Sequence, residues 1–128
     1  MAKILVVEDN RAIRAVVSEI LTRDGHEVTL AADGDEGLLS FREGHPDVVL
    51  CDIFMPRKDG IETIVELRRE YPEARIIAMS GGWMRGMDVT GPDTDILAHA
   101  QRSGADAILE KPFEPTKLRS VIERLLSR

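Results

Sequence analysis

Four consecutive apolar residues, Val48-Val49-Leu50-Cys51, run without alternation into a carboxylate, Asp52. A strand that is apolar at every position has both faces covered, as in the interior of a parallel sheet. The run stops at Asp52, so this residue is expected at the strand's carboxyl end, followed by a turn with Pro56 and Gly60. Other strand-like runs end in the same way. Ile4-Leu5-Val6-Val7 runs into Glu8-Asp9, Ile76-Ile77-Ala78-Met79 into Ser80, and Ala107-Ile108-Leu109 into Glu110-Lys111-Pro112. In an open parallel sheet the carboxyl ends of the strands share one edge, and ligands bind there where the strand order reverses. Glu8, Asp9, Asp52, Ser80 and Lys111 are therefore candidates for one cluster.

Between these runs the apolar period changes to that of helices. Ile13, Val16, Val17, Ile20 and Leu21 form one stripe behind a cap at Asp9 or Asn10, with Arg11, Arg14, Ser18 and Glu19 outside it. Asp24-Gly25 closes this helix, and Val28-Thr29-Leu30-Ala31 reads as a short edge strand. A second helix opens at Asp33-Gly34-Asp35, carries Leu38, Leu39 and Phe41, and stops near Gly44-His45-Pro46. Asp59 with Glu62 marks a third start, with Ile61, Ile64, Val65 and Leu67 inward and Tyr71-Pro72 at the end. A weaker helix is expected over 94–102, closed by Ser103-Gly104, and the last begins at Pro115 with Leu118, Val121, Ile122, Leu125 and Leu126. The segment 81–92, rich in Gly81, Gly82, Gly86, Gly91 and Pro92 around Trp83, Met84 and Met87, is expected to be irregular. Two roles stay open for it: a docking patch or lid over Asp52, or a loop folded on its own domain.

The order is βαβαβαβαβα, which predicts an α/β domain with a parallel sheet and helices on both faces. One domain over 1–128 is expected, with enough chain to bury a substantial core. The net charge of −6 argues against direct nucleic-acid binding, which needs basic patches to neutralise phosphates. No apolar run approaches the roughly 20 residues that span a bilayer, so no membrane contact is expected. Cys51 stands alone, which excludes an internal disulfide and fits a cytoplasmic location; within its apolar run it reads as a packing residue. His26, His45 and His99 are scattered without ligand spacing and are expected at the surface.

Glu8, Asp9 and Asp52 would bring three negative charges together. Two unit charges about 4 Å apart cost about 4 kcal/mol at an effective dielectric of about 20. Such a group protonates, recruits a lysine or binds a divalent cation, and Lys111 offsets only one charge. Oxygen ligands with little nitrogen or sulfur favour Mg²⁺. A cation with open positions beside a carboxylate can bring in a phosphoryl group, whose transfer needs positioning and charge neutralisation more than covalent help. Asp52 could accept that group, with Ser80 and Lys111 contacting its oxygens.

Val6-Val7-Glu8-Asp9-Asn10, Asp52-Ile53-Phe54-Met55-Pro56 with Asp59-Gly60, Met79-Ser80-Gly81 and Glu110-Lys111-Pro112-Phe113 stand in order, each at a strand end. In this set, and over its whole length, the chain resembles a response regulator receiver domain of the single-domain type. The resemblance implies a flavodoxin-like, doubly wound sheet of five parallel strands in the order 2-1-3-4-5 with five helices. That order comes with the family; the spacing of the runs alone leaves it open. The resemblance further implies that Asp52 takes phosphoryl from a phosphohistidine on a sensor histidine kinase or histidine phosphotransfer protein. Mg²⁺ would be held by Asp9, Asp52 and the backbone carbonyl of Phe54, with Glu8 acting through water. Ser80 and Lys111 would contact the phosphoryl group, and Lys111-Pro112 would be a cis peptide. The family's aromatic switch position is Ile108 here, so a helix shift is expected as the readout instead of a ring flip. The separation of Ser80 from Lys111 also exceeds the family's, the excess lying in 81–92.

The implied role is that of a signalling phosphoacceptor, a monomer or weak dimer acting on a target protein the sequence does not name. It would promote only its own phosphorylation and dephosphorylation. A phosphatase with an aspartate nucleophile wants a second acid two positions on, where this chain has Phe54. A flavodoxin-type cofactor binder wants phosphate-cradling amides where Glu8-Asp9 would repel phosphate. An interaction module that has lost phosphorylation would not be expected to keep the whole acid, serine and lysine set.

Overall fold

In the computed structural model, residues 2–53, 60–80, 102–110 and 114–127 are described. Their elements are β1 (Lys3–Val7), α1 (Arg11–Arg23), β2 (Glu27–Ala31), α2 (Gly34–Gly44), β3 (Val48–Asp52), α3 (Gly60–Glu70), β4 (Ile76–Ser80), β5 (Ala107–Glu110) and α4 (Pro115–Leu126). All strand pairs are parallel, in the order β2-β1-β3-β4-β5. The strand order reverses between β1 and β3, the place where an open sheet leaves a crevice at its carboxyl edge. The helix expected over 94–102 falls outside the described residues except at its end, as do the segment 81–92, His99 and Asp59, so four helices are described where five are expected.

Every residue of β3 is buried, as its unbroken apolar run requires. Alternate side chains go to opposite faces. Ile4, Val6, Val48, Leu50, Ile77 and Met79 meet Val17 and Leu21 of α1 and Leu118, Val121, Ile122 and Leu125 of α4. Leu5, Val7, Val49, Cys51, Ile76 and Ala78 meet Leu38 and Phe41 of α2 and Ile64 and Leu67 of α3. Cys51 is buried among these residues, as its apolar setting indicates. β2 is an edge strand with mostly exposed side chains.

Local signals set the helix ends. Asn10, not Asp9, caps α1, its side chain accepting the Ile13 N–H at 3.0 Å. Asp33 caps α2 by accepting the Glu36 N–H at 2.9 Å. Gly25, at φ 89°, follows α1, where a left-handed residue costs least.

Two stripes are narrower than periodicity predicts. Val16 is 56% exposed and Leu39 54% exposed. Each lies about 100° round its helix from a buried neighbour, Val17 or Leu38, and the sheet covers only the central arc. In α2 the place is taken by Gly37, where a Cβ would lie 2.8 Å from Val7 Cγ2. Overpacking against a stiff β-branched side chain costs about 1–3 kcal/mol, while replacing glycine in a helix returns about 1 kcal/mol. Gly37→Ala is therefore expected to lower stability by about 1 kcal/mol net, read as a lower urea midpoint at unchanged slope.

His26 is half-buried, and its Nδ1 accepts the Ala2 N–H at 3.1 Å. This corrects the surface assignment: a backbone donor at the start of β1 uses the ring as its acceptor. His45 is exposed, as expected, but it has a structural place. At φ 44° it ends α2, with its ring edge-on to Phe41 and Tyr71.

Candidate functional site: a three-carboxylate cluster at the sheet edge

The pairing register brings the acids together. Val7 lies opposite Cys51, so the residue after β1, Glu8, comes level with Asp52. Glu8 continues the alternation of Ile4 and Val6, and Asp52 that of Val48 and Leu50, all on the α1 and α4 face. Both carboxylates are thus carried to one face at the strand-order reversal. Glu8 is fully buried and Asp52 is 3% exposed, while Asp9 is exposed. One carboxylate oxygen from each of Glu8, Asp9 and Asp52 lies within 4.8 Å of the others.

Hydrogen bonds shape the turn that carries two of these acids. The Glu8 N–H donates to Ala31 O at 3.0 Å, prolonging the β1–β2 ladder by one residue. Glu8 Oε2 accepts the Asn10 N–H at 3.0 Å. Arg14 Nη1 donates to the Glu8 carbonyl at 2.8 Å. On the other side, Ile53 N–H donates to Met79 O at 3.0 Å and Gly60 N–H to Ile53 O at 3.2 Å. Gly60 is buried where a Cβ would fall inside the backbone of Asp52 and Ile53. The start of α3 therefore rests directly on the strand end that carries Asp52.

Three clustered oxygen donors, two withdrawn from water, repel one another strongly unless positive charge joins them. The donor set is hard and oxygen-only, which suits Mg²⁺ and leaves room for water or a phosphoryl oxygen as further ligands. The residues present thus fit the cation that the family implies.

Of the other residues singled out by sequence, Ser80 is the last residue of β4, its backbone opposite Glu110, and its side chain lies outside the described atoms. Phe54, Lys111 and Pro112 lie outside the described residues. Ile108 is half-buried against the α2 and α3 face of the sheet. It has a χ1-restricted aliphatic side chain and no ring to swing. Sequence reading missed Arg14, setting it among polar residues outside the α1 stripe. A cation in the first turns of α1, six and five positions after two adjacent acids, was the available signal.

A family profile described as the response regulator receiver domain matches residues 4–123. The chain is 38% identical over 126 residues to "Probable transcriptional regulator ycf27" of Cyanophora paradoxa, covering 98% of this chain and 48% of that protein. It is 30% identical over 124 residues to the chemotaxis protein CheY of Thermotoga maritima, covering 96% of each. The solved receiver domain of NtrX from Brucella abortus is similar at TM-score 0.85 and 33% identity, covering 97% of this chain and 98% of that one. The chain spans about half the length of several curated relatives it matches. No helix among the described residues is long and apolar enough to cross a membrane. With a receiver-domain profile over nearly all its length and a solved receiver domain similar over nearly the whole of both chains, this chain belongs to the response regulator receiver domain family.

Proposed function

We propose that Asp52 is the phosphoacceptor of this receiver domain and that Glu8, Asp9 and Asp52 hold Mg²⁺ beside it. The observation that carries this reading is the convergence of the three carboxylates within 4.8 Å, with Asp52 at the end of the central strand. When bound there, Mg²⁺ supplies charge neutralisation for the oxygens of a transferring phosphoryl group. An Asp52 oxygen forms the new O–P bond as the N–P bond of a phosphohistidine breaks, and the departing imidazole nitrogen keeps the bonding pair. The buried surroundings of Asp52 strengthen each electrostatic contact to that group. The backbone carbonyl of Phe54, the Ser80 hydroxyl and the Lys111 ammonium complete the site in this reading, on the strength of the family motif. The cis Lys111-Pro112 peptide belongs to the same motif.

Receiver domains work with histidine kinases or phosphotransfer proteins, and the phosphoryl donor is taken to be one of these. Output is through contact with a target protein, from a soluble cytoplasmic domain that is monomeric or weakly dimeric. The acidic balance of the chain disfavours direct contact with nucleic acid by this domain. The longer relatives named transcriptional regulators combine such a stretch with further sequence.

The test is mass spectrometry after incubation with acetyl phosphate and Mg²⁺. The wild-type chain is expected to gain one phosphate and Asp52→Asn none. An adduct on both proteins refutes the assignment of Asp52.

A further inference from the structure

We propose that Arg14 is a positioning residue for the carboxylate cluster: by holding the Glu8 carbonyl it keeps the Glu8-Asp9-Asn10 turn in the shape that cation binding needs. The inference rests on the reading that these carboxylates hold Mg²⁺.

Asp9 is the exposed member of the cluster and lies between β1 and α1, outside both backbone ladders. The shape of the turn that presents it is set by the backbone bonds of its neighbours. Glu8 is tied by its N–H to Ala31 O and by Oε2 to the Asn10 N–H. Asn10 is tied as the cap of α1. Arg14 closes the remaining side of the turn with two bonds. Its backbone N–H donates to Asn10 O at 2.9 Å, and its guanidinium Nη1 to Glu8 O at 2.8 Å. The first bond is ordinary helix hydrogen bonding and survives any substitution except proline. The second needs this side chain. It fixes the peptide plane between Glu8 and Asp9, and with it the angle at which the Asp9 side chain leaves the backbone.

Arg14 also carries a charge, and its two effects on a dication have opposite sign. As a cation near the site it repels Mg²⁺, so removing it would tighten binding. As a pin on the turn it preorganises the ligands, so removing it would loosen binding. Added salt weakens the effect of the Arg14 charge but not that of its hydrogen bond, so a loss of affinity that persists at high salt reports the pin.

Groups that orient metal ligands typically carry about 10–100-fold in metal affinity. Mg²⁺ alone is titrated into the full chain, followed by calorimetry and by the amide shifts of Glu8, Asp9 and Asn10, at low and high salt. Arg14→Gln is expected to weaken Mg²⁺ binding about tenfold at both salts, with the metal-free melting midpoint little changed. Arg14→Lys keeps the charge and loses the planar fork, so it isolates geometry and is expected to weaken binding about threefold. If Arg14→Gln does not fold, the lysine variant decides alone. Affinity equal to or above wild type in the folded variants overturns the inference. A wild-type chain that does not bind Mg²⁺ overturns the reading beneath it, and with it the role of Arg14.

Discussion

Gly60→Ala is expected to destabilise the domain by at least about 3 kcal/mol and to remove phosphoryl acceptance at Asp52. The added methyl would fall inside the backbone of Asp52 and Ile53, not against a side chain that can rotate away. Interiors are close-packed and yield little, so either the first turn of α3 lifts or the end of β3 moves. Both outcomes break the hydrogen bond from the Gly60 N–H to Ile53 O and shift Asp52 relative to Glu8, whose own position is set by the β1–β2 ladder. Urea unfolding gives the stability change, and the acetyl phosphate assay gives the functional one. A variant with wild-type midpoint and full adduct would show that the close approach of α3 to Asp52 is not required.

The second large effect is expected at Arg68, a partly buried residue in the last turn of α3. Its guanidinium directs five donor contacts inward. Nε and Nη2 donate to Gly104 O at 3.2 and 2.7 Å, Nη1 to Pro72 O and Ala74 O at 2.7 Å each, and Nη2 to Asp106 at 2.8 Å. Asp106 also accepts the Ile76 N–H at 2.8 Å, at the start of β4. Gly104, at φ 129°, leaves the room: a Cβ there would lie 3.0 Å from Arg68 Cβ and Cγ. One side chain thus joins the end of α3, the start of β4 and the turn before β5. Its loss leaves several carbonyls and a partly buried carboxylate short of a donor. Hydrogen bonds to charged groups contribute about 1.5–3 kcal/mol each but do not add within one network. Arg68→Ala is therefore expected to cost about 3 kcal/mol, lowering the thermal midpoint by about 10 °C. Arg68→Lys should recover little, because a single ammonium cannot reproduce the fork. A lysine variant as stable as wild type would refute this account.

These two residues show where sequence reading stopped. Gly60 was legible as part of an Asp-Gly helix start, but the reason for glycine is a contact with residues of the preceding strand across a turn. Arg68 was invisible, because nothing in its local pattern points to carbonyls at 72, 74 and 104. The strand ends were legible for a physical reason: a polar side chain needs partners that an apolar interior does not offer, so each apolar run gives way to Glu8, Asp52 or Ser80 where its strand reaches the sheet edge. The helix stripes were read one residue too wide at Val16 and Leu39, because periodicity gives the direction of the buried face and not its width.

What the chain determined by itself was the alternation of strands and helices, the ends of the strands and the choice of acids at one edge. These follow from local period and from where hydrophobic runs end. Only the tertiary structure decided that Glu8 and Asp52 share a face, that α3 begins against the backbone of Asp52, and that Arg14 and Arg68 turn their guanidinium groups onto backbone carbonyls. Register, close approach and hydrogen-bond partners belong to pairs of segments, and no single segment carries them.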